Sequence, residues 1–241
     1  ELLPVPGFRL ASCDAGIYKK NRDDLVLIEI ADGTNSAAVF TKNAFAAAPV
    51  TVARSHLEES SPRYCLINAG NANAGTGEKG LEHARFSCEL VSRLTACNLS
   101  QVLPFSTGVI GEYLPVKNIS RALSDLEVSL DDGNWLNCAS AIMTTDTFAK
   151  GVSRSVELAG SNVTLTGIAK GSGMIRPDMA TMLAFIATDA FIAKDLLSSL
   201  LDEAVETSFN RICVDGDTST NDACLLMASG KSEVVLDAST E

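Results

Sequence analysis

Short apolar runs recur along the chain with the length and spacing of β-strands. They predict strands at 25–30, 37–41, 64–68, 102–105, 163–168, 181–188, 211–214 and 223–228. Helical spacing of apolar residues predicts helices at 78–97, 116–126, 137–143 and 194–209. In the last of these segments the leucines form one apolar stripe along a single helix face. We therefore predict an α/β or α+β fold in which helices cover mixed sheets.

The composition is typical of a soluble globular protein, since 46% of the 241 residues are hydrophobic and 20% are charged. This length allows one large domain or two small ones. The 19 Lys and Arg residues are outnumbered by 30 Asp and Glu, and the resulting net charge of -11 disfavours a nucleic-acid partner. No apolar run approaches the roughly 20 residues that span a bilayer, so we expect no membrane partner and a cytoplasmic location.

Cysteine and histidine restrict the chemistry that is open to the chain. The seven cysteines are scattered and never form a CxxC pair, which indicates neither a disulfide framework nor a zinc site, and we expect them to be buried as small apolar residues. Histidine occurs only as His56, in a polar stretch, and as His83, inside a predicted helix. A Ser-His-Asp triad or a histidine-based metal site therefore has little to draw on.

Four glycine-rich or threonine-rich segments interrupt the apolar pattern, at 68–77, 106–111, 143–147 and 170–181. Small residues let backbone N–H groups approach a ligand, although each segment taken alone is also typical of a tight turn. A phosphate-binding loop is not indicated, because Lys170 precedes the glycines instead of following them. The spacing G-x-G-x-x-G occurs at Gly75, Gly77 and Gly80, but the acidic ribose-binding residue expected about 20 positions later is missing.

Thr181 stands at the first position of a predicted buried strand, directly after a glycine-rich loop that contains proline. If the chain were cut before Thr181, this residue would carry a free α-amine beside its own hydroxyl, and nucleophile and base would be one residue. The alternative is that Thr181 is an ordinary β-branched strand residue. Spacing alone favours the ordinary strand residue.

Six motifs in order, spread over nearly the whole chain, resemble the glutamate N-acetyltransferase or ornithine acetyltransferase family of arginine biosynthesis, the ArgJ family. They are AVFTKNAFAAAPV at 38–50, INAGNANAGTG at 67–77, PFSTGVIGE at 104–112, AIMTTDT at 141–147, AKGSGMIRPDMATMLAFIATDA at 169–190 and FNRICVDGDTSTND at 209–222. The resemblance implies a layered fold shared with the DmpA aminopeptidases. It also implies a precursor that cuts itself between Ala180 and Thr181, so that 1–180 form an α chain and 181–241 begin a β chain.

The activity implied by this resemblance is acetyl transfer from N2-acetyl-L-ornithine to L-glutamate through an acetyl-threonine intermediate, and some family members also accept acetyl-CoA. The resemblance assigns Thr181 as the nucleophile, Thr107 and Gly108 to an oxyanion hole, and Thr144, Lys170 and Thr181 to substrate binding. It implies no metal or organic cofactor, amino acids as the small-molecule substrates, and α/β heterodimers that pair further, as in a heterotetramer. Four other polar residues are expected to fix loops, namely Asp146, Asp215, Asp217 and Asn221.

The family's β chain runs beyond position 241 and contributes a glutamate, an asparagine and a serine or threonine to the substrate pocket. Segment 231–236 also looks like the start of a further strand, so we expect this chain to be part of a longer product. Two alternatives remain at this point. One is an aminopeptidase-like hydrolase on the same scaffold, with water as the second nucleophile, and the other is an inactive homologue that only binds ligands.

Overall fold

The computed structural model describes residues 2–18, 21–158, 160–175 and 182–237. In chain order the strands are β1 Phe8–Cys13, β2 Leu25–Ile30, β3 Asn35–Phe40, β4 Tyr64–Asn71, β5 Val102–Val109, β6 Lys150–Leu158, β7 Ser161–Lys170, β8 Leu183–Thr188, β9 Phe191–Ile192, β10 Ala223–Ala228 and β11 Val235–Leu236. The α-helices are α1 Ala48–Glu59, α2 Gly77–Thr95, α3 Val116–Val128, α4 Trp135–Ala141 and α5 Lys194–Thr207. Two short 3-10 helices occupy Leu99–Gln101 and Phe209–Arg211.

Two mixed sheets form the centre of the fold. The first has four strands in the order β1-β2-β4-β5, and its only parallel pair is β4 with β5. The second has five strands in the order β3-β10-β8-β7-β6, with β8 and β10 as its parallel pair. Strands from both sides of the expected cut therefore share the second sheet, because β8 and β10 lie between β3 and β7.

Apolar side chains of the two sheets meet in one buried layer. Phe105 from β5 and Phe185 from β8 pack edge to face, with ring centroids 5.0 Å apart. Helices α2 and α3 cover the outer face of the first sheet, and α5 covers part of the outer face of the second. The fully buried Trp135 of α4 fills the layer beside β1. The predicted α/β architecture, with helices on mixed sheets, is confirmed.

Most of the predicted elements are present. Strands β2 and β10 have the predicted bounds, and the runs at 37–41, 64–68, 102–105 and 163–168 lie in or next to strands. All four predicted helices form within a few residues of their expected ends. The run at 181–188 is strand from Leu183, while Thr181 lies outside the described residues.

The predicted strand at 211–214 is wrong. A 3-10 turn ends at Arg211, and Ile212 and Val214 are exposed in a loop instead of facing a core. This loop is held from one side by the Asp215 carboxylate, which accepts the N–H groups of Met174 and Ile175. The short apolar alternation at 211–214 therefore forms no strand, because turn contacts of the Asp215 side chain fix this segment as a loop.

The elements that were not predicted include β1, α1 and β6. Strand β6 is largely exposed at the edge of its sheet, so its sequence lacks an alternating apolar pattern. Helix α1 begins at an alanine-proline pair inside an Ala-rich stretch and presents charged residues to solvent. His56 lies on its inner face, buried, with Nδ1 2.8 Å from the carbonyl oxygen of Val102.

Cysteine burial follows expectation in part. Cys65, Cys88, Cys138 and Cys224 are buried, and burial raises the pKa of the Cys224 thiol to about 12. The exposed Cys213 in the 212–222 loop does not follow it, because the strand predicted there does not form. Within the described parts of the chain, no helix is long and apolar enough to cross a membrane, and no group of three or more metal-ligating side chains occurs.

Candidate active site

A cavity of about 450 Å³ opens where the carboxyl end of β5 in the first sheet meets the carboxyl end of β7 in the second. All four glycine- or threonine-rich segments contribute to its wall. The lining residues are Tyr18, Gly70, Ala72, 107–110, Thr144, Thr145, Lys170, Gly173, Met174 and 219–221. Larger grooves of about 760 and 780 Å³ lie along β3 and on α2, but neither contains a residue of these four segments.

Thr107 and Lys170 are joined by a hydrogen bond across the two sheets. The Lys170 ammonium donates to the Thr107 hydroxyl at 3.0 Å, and both side chains are buried. Because the hydroxyl oxygen accepts from Lys170, its own hydrogen is left to point toward another acceptor. A cation and a hydroxyl donor thus lie side by side at the cavity wall, which is an arrangement suited to a substrate that carries or develops negative charge.

Gly108 can only be glycine where β5 passes β4. Its φ is +134°, and a Cβ at this position would lie 2.2 Å from the carbonyl carbon of Gly70 and 2.5 Å from the backbone nitrogen of Asn71. The two strands lose their regular register at this point, between Gly70 and Asn71. The close approach leaves the backbone of Gly108 without a side chain between it and the cavity.

The Asp146 carboxylate links the loop that carries Thr144 to the loop that begins after Lys170. It accepts the N–H of Gly171 at 2.8 Å and the N–H of Thr144 at 3.3 Å, and it is paired with the Lys150 ammonium. Its side chain has no exposed surface. Burial alone would raise the pKa of this carboxyl, but Lys150 and the two N–H donors hold the pKa below its ordinary value.

The pKa of Lys170 is lowered, and the main cause is burial, which disfavours the charged ammonium. The negative charges of Asp146 and Asp222 oppose this shift, and the positive charge of Lys150 adds to it. The charges of Asp146, Asp222 and Lys150 therefore modify the effect of burial on the pKa of Lys170.

Residues 219–222 close the cavity from the side of β10. The Asn221 side-chain amide donates to the carbonyl oxygens of Ala72 at 2.7 Å and Ser106 at 2.9 Å, so it ties the ends of β4 and β5 together. The buried Asp222 accepts the N–H of Met182 at 3.0 Å. The Asp222 contact therefore holds the residue before β8 beside the ends of β4 and β5, to which Asn221 is bound.

The glycine-rich loop after β7 is held in place by Asp215. Its carboxylate accepts the N–H of Ile175 at 2.9 Å and the N–H of Met174, and a further N–H from Asp217 at 3.3 Å. These N–H groups hold the pKa of Asp215 below its ordinary value. Asp215 is therefore a loop-fixing group in this structure, whereas Asp217 takes part as a backbone donor.

The structure brings together four of the residues assigned by resemblance, namely Thr107, Gly108, Thr144 and Lys170. Ala180 and Thr181 lie outside the described residues, so the expected nucleophile and cleavage site stay predictions. Leu183, two positions after Thr181, pairs directly with Lys170 in the sheet register. The expected nucleophile thus belongs to the segment that leads into the strand beside Lys170.

Several residues of the cavity were not predicted. Tyr18 lines it and donates from its hydroxyl to the Thr144 carbonyl at 2.9 Å, while the Arg22 guanidinium lies over its ring. No local pattern marks Tyr18, which is far in sequence from the other segments of the cavity wall. Asp222 was signalled only by its place at the end of the motif FNRICVDGDTSTND.

The G-x-G-x-x-G spacing begins just before α2 at Gly75 and continues into the start of the helix at Gly77 and Gly80, and none of the three glycines lines the cavity. Gly75 packs against Phe45, and only Gly70 and Ala72 of segment 68–77 reach the cavity wall. These glycines therefore form the turn into α2 and the start of that helix.

Comparison with known proteins shows extensive similarity. The model of the ArgJ family matches residues 9–241. The arginine biosynthesis bifunctional protein ArgJ of Methylococcus capsulatus is 57% identical over 236 residues, which cover 98% of this chain and 58% of the relative. This chain thus spans somewhat more than half of the length of that relative.

Solved structures show the same relationship. The arginine biosynthesis bifunctional protein of Bacillus halodurans superposes with a TM-score of 0.66 at 32% identity, covering 74% of this chain and 92% of that one. The ornithine acetyltransferase of Mycobacterium tuberculosis, solved in complex with ornithine, superposes with a TM-score of 0.62 at 28% identity. The match covers 74% of this chain and 93% of that one. An aminopeptidase of Ochrobactrum anthropi with a variant of the Ntn hydrolase fold superposes with a TM-score of 0.52 at 12% identity, covering 93% of this chain and 72% of that one. At this identity the likeness shows a shared fold alone.

Proposed function

The chain belongs to the ArgJ family, and from this membership we propose that it is part of an acetyltransferase that moves an acetyl group from N2-acetyl-L-ornithine to L-glutamate. The observation that carries the proposal is the cavity that gathers Thr107, Gly108, Thr144 and Lys170 from three separate motifs. The Mycobacterium tuberculosis relative, an ornithine acetyltransferase solved with ornithine, supports an amino-acid substrate.

In the proposed first half-reaction the Thr181 hydroxyl attacks the acetyl carbonyl, and the α-amine of Thr181 accepts the hydroxyl proton. The tetrahedral oxyanion receives hydrogen bonds from the Thr107 hydroxyl and the Gly108 backbone. Collapse of this intermediate releases ornithine and leaves an acetyl ester on Thr181. In the second half-reaction the glutamate amine attacks the ester, N-acetylglutamate leaves, and the threonine hydroxyl is restored.

Lys170 serves in this scheme as the cation that meets a substrate carboxylate. A charge-assisted hydrogen bond from a buried ammonium is stronger than one in water, because little solvent competes for the carboxylate. Thr144 lies on the same cavity wall and supplies polar contacts to the substrate. No step of the scheme requires a metal or an organic cofactor. Acetyl-CoA is the candidate for a second acetyl donor, and the name bifunctional protein carried by the relatives supports a second reaction.

Self-cleavage between Ala180 and Thr181 is part of the proposal, because it creates the α-amine that the scheme needs. The match to the Bacillus halodurans chain covers 74% of 241 residues, about 178 residues, and nearly all of that chain. This length is close to the 180 residues of the proposed α chain. The shared second sheet supports an α/β heterodimer after cleavage, because β8 and β10 pair with β7 and β3. We place the enzyme in the cytoplasm as oligomers of these heterodimers.

The first test measures acetyl transfer by the purified full-length product. With N2-acetylornithine as donor, we expect sustained ornithine release only when glutamate is present. Sustained release without glutamate would instead establish a hydrolase with water as the second nucleophile. Absence of turnover under both conditions, with a folded and cleaved protein, would favour an inactive homologue.

The second test examines Thr181 itself by intact-mass analysis of the full-length product. A fragment that begins TMLAF is expected for the wild type. Thr181→Ala should abolish both cleavage and transfer, whereas Thr181→Ser should retain part of both, because a hydroxyl remains beside the new amine. An uncut wild-type protein with full activity would overturn the proposed mechanism.

A further inference from the structure

Two lysines and one buried carboxylate stand together at the edge of the cavity, and the proposed chemistry uses only one of the three. Lys150 opens β6 and pairs in register with Ala169, the residue before Lys170. Asp146 connects the surroundings of the two lysines. Its carboxylate is paired with Lys150 and accepts the N–H of Gly171, the residue after Lys170. We propose that Asp146 is a positioning residue for acetyl transfer, and that Lys150 is its counter-ion.

The first part of this role is geometric. One carboxylate accepts the N–H groups of Thr144 and Gly171, which belong to two different loops of the cavity wall. The hydroxyl of Tyr18 holds the same Thr144 from its carbonyl side at 2.9 Å. The position of Thr144 relative to Lys170 therefore depends on Asp146, although Asp146 itself is absent from the lining of the cavity.

The second part is electrostatic. Lys170 is buried beside Thr107, and the charges of Asp146, Asp222 and Lys150 act on it. Tyr18 lines the same cavity. In this environment of low polarity, the negative charge of Asp146 favours the protonated form of Lys170. Lys150 is about one-third exposed and keeps Asp146 ionised by pairing with it, while its own charge opposes protonation of Lys170.

The inference follows from these opposite effects. Removing either partner of the Asp146–Lys150 pair breaks the same ion pair, but the two changes alter the potential at Lys170 in opposite directions. A purely structural pair would lose stability or activity in the same sense for both variants. A pair that sets the charge state of Lys170 would shift the pH dependence of transfer downward in one variant and upward in the other.

The experiment compares Asp146→Asn and Lys150→Met in the full-length product, by the pH profile of kcat/KM for acetyl transfer. The inference rests on the proposed function, in which transfer needs protonated Lys170. For Asp146→Asn we expect the alkaline limb to move to lower pH by about one unit, because the charge that favours the ammonium is lost. For Lys150→Met we expect the same limb to move to higher pH, because a like charge is lost.

A direct readout separates this inference from the proposed function. The pKa of Lys170 is followed by NMR of ε-13C-lysine in each full-length protein, with the Lys170 signal identified by its absence in Lys170→Arg. We expect a lower pKa in Asp146→Asn and a higher one in Lys150→Met. Shifts in the same direction, or no shift in the Lys150→Met variant, would overturn the inference even if the wild type transfers acetyl groups. A wild type without transfer would overturn the proposed function, while the NMR titration still tests the charge coupling.

Discussion

The Lys170 ammonium and the Thr107 hydroxyl lie 3.0 Å apart, although 63 residues separate them and they belong to different sheets. The bond is buried, so breaking it would cost free energy, because water does not readily replace either partner. Both groups are held by strands whose backbones are fixed by pairing, Thr107 in β5 and Lys170 at the last residue of β7. The contact is thus built into the sheets and does not depend on a bound substrate.

Thr107→Val tests the hydroxyl at nearly constant shape. The variant removes the proposed oxyanion donor, and loss of one such donor lowers kcat by about 100- to 1000-fold. Thr107→Ser is the matched control and should retain more than a tenth of the activity, because its hydroxyl can still meet both Lys170 and the oxyanion. The measurement is the rate of ornithine release by the full-length product. A valine variant as active as the serine variant would exclude the hydroxyl from the reaction.

Lys170→Met separates function from stability. The variant removes a buried charge that burial disfavours and keeps most of the side-chain volume, so the free energy of unfolding at pH 7 should be unchanged or higher. Acetyl transfer should fall at least 100-fold, because the proposed carboxylate contact is lost. Urea unfolding and transfer assays on the same preparations check both statements. A strong loss of stability would indicate that Lys170 is needed mainly as a structural cation.

The stability gained by Lys170→Met should also depend on pH. The pKa of Lys170 is lower in the folded protein than in the unfolded chain, so the unfolded chain binds more protons between these two values. The wild type therefore gains stability as the pH rises through this window toward the ordinary lysine value of about 10.4. We expect the difference between variant and wild type to be largest below the folded pKa of Lys170 and to shrink as the pH rises above it. A difference that grows with rising pH would contradict the lowered pKa.

Gly108→Ala should disrupt the close approach of β4 and β5. The added Cβ would meet backbone atoms of Gly70 and Asn71 at 2.2 to 2.6 Å, and backbone cannot give way as a flexible side chain can. Gly111→Ala is the matched control, since Gly111 also has a positive φ, of +85°, but has nothing within 4 Å of its Cβ position. The free energy of unfolding of the control should fall by about 1 to 2 kcal/mol, because alanine disfavours this backbone conformation.

The free energy of unfolding of the Gly108→Ala variant should fall by about 1 to 3 kcal/mol more than that of this control, because overpacking adds to the backbone strain. Urea unfolding followed by circular dichroism gives both values. Equal losses in the two variants would show that the strands can separate at this point without penalty.

Asn221→Asp should destabilise the cavity wall. The Asn221 amide donates to two buried carbonyls, those of Ala72 and Ser106, and a carboxylate cannot donate to either. We expect a loss of more than about 2 kcal/mol in the free energy of unfolding, because two buried acceptors lose their donor. Asn137→Asp on the exposed surface of α4 is the control and should change stability by less than about 0.5 kcal/mol. Similar values for both would contradict the tying role of Asn221.

Local sequence patterns were sufficient for most of the secondary structure. Continuous apolar runs marked β2 and β10 because these strands lie inside their sheets and are buried on both faces. The stripe of leucines marked α5 because only one face of that helix meets the second sheet. The edge strand β6 escaped detection for the opposite reason, since most of its residues face solvent on both sides.

The sequence by itself determined which residues carry polar chemistry: four segments of small and hydroxylated residues, interrupting an apolar pattern and matching the motifs of one family. The assignment of Thr181 as nucleophile stays a prediction from that resemblance. Only the tertiary structure decided which of these residues meet, because the contact of Lys170 with Thr107 joins β7 of one sheet to β5 of the other and depends on how the two sheets face each other. Periodicity records which face of a strand is buried, whereas the neighbour of a strand is set by pairing between distant segments. The link from Asp146 to Thr144, Gly171 and Lys150 has the same origin, since it exists only where a loop and two strand ends converge.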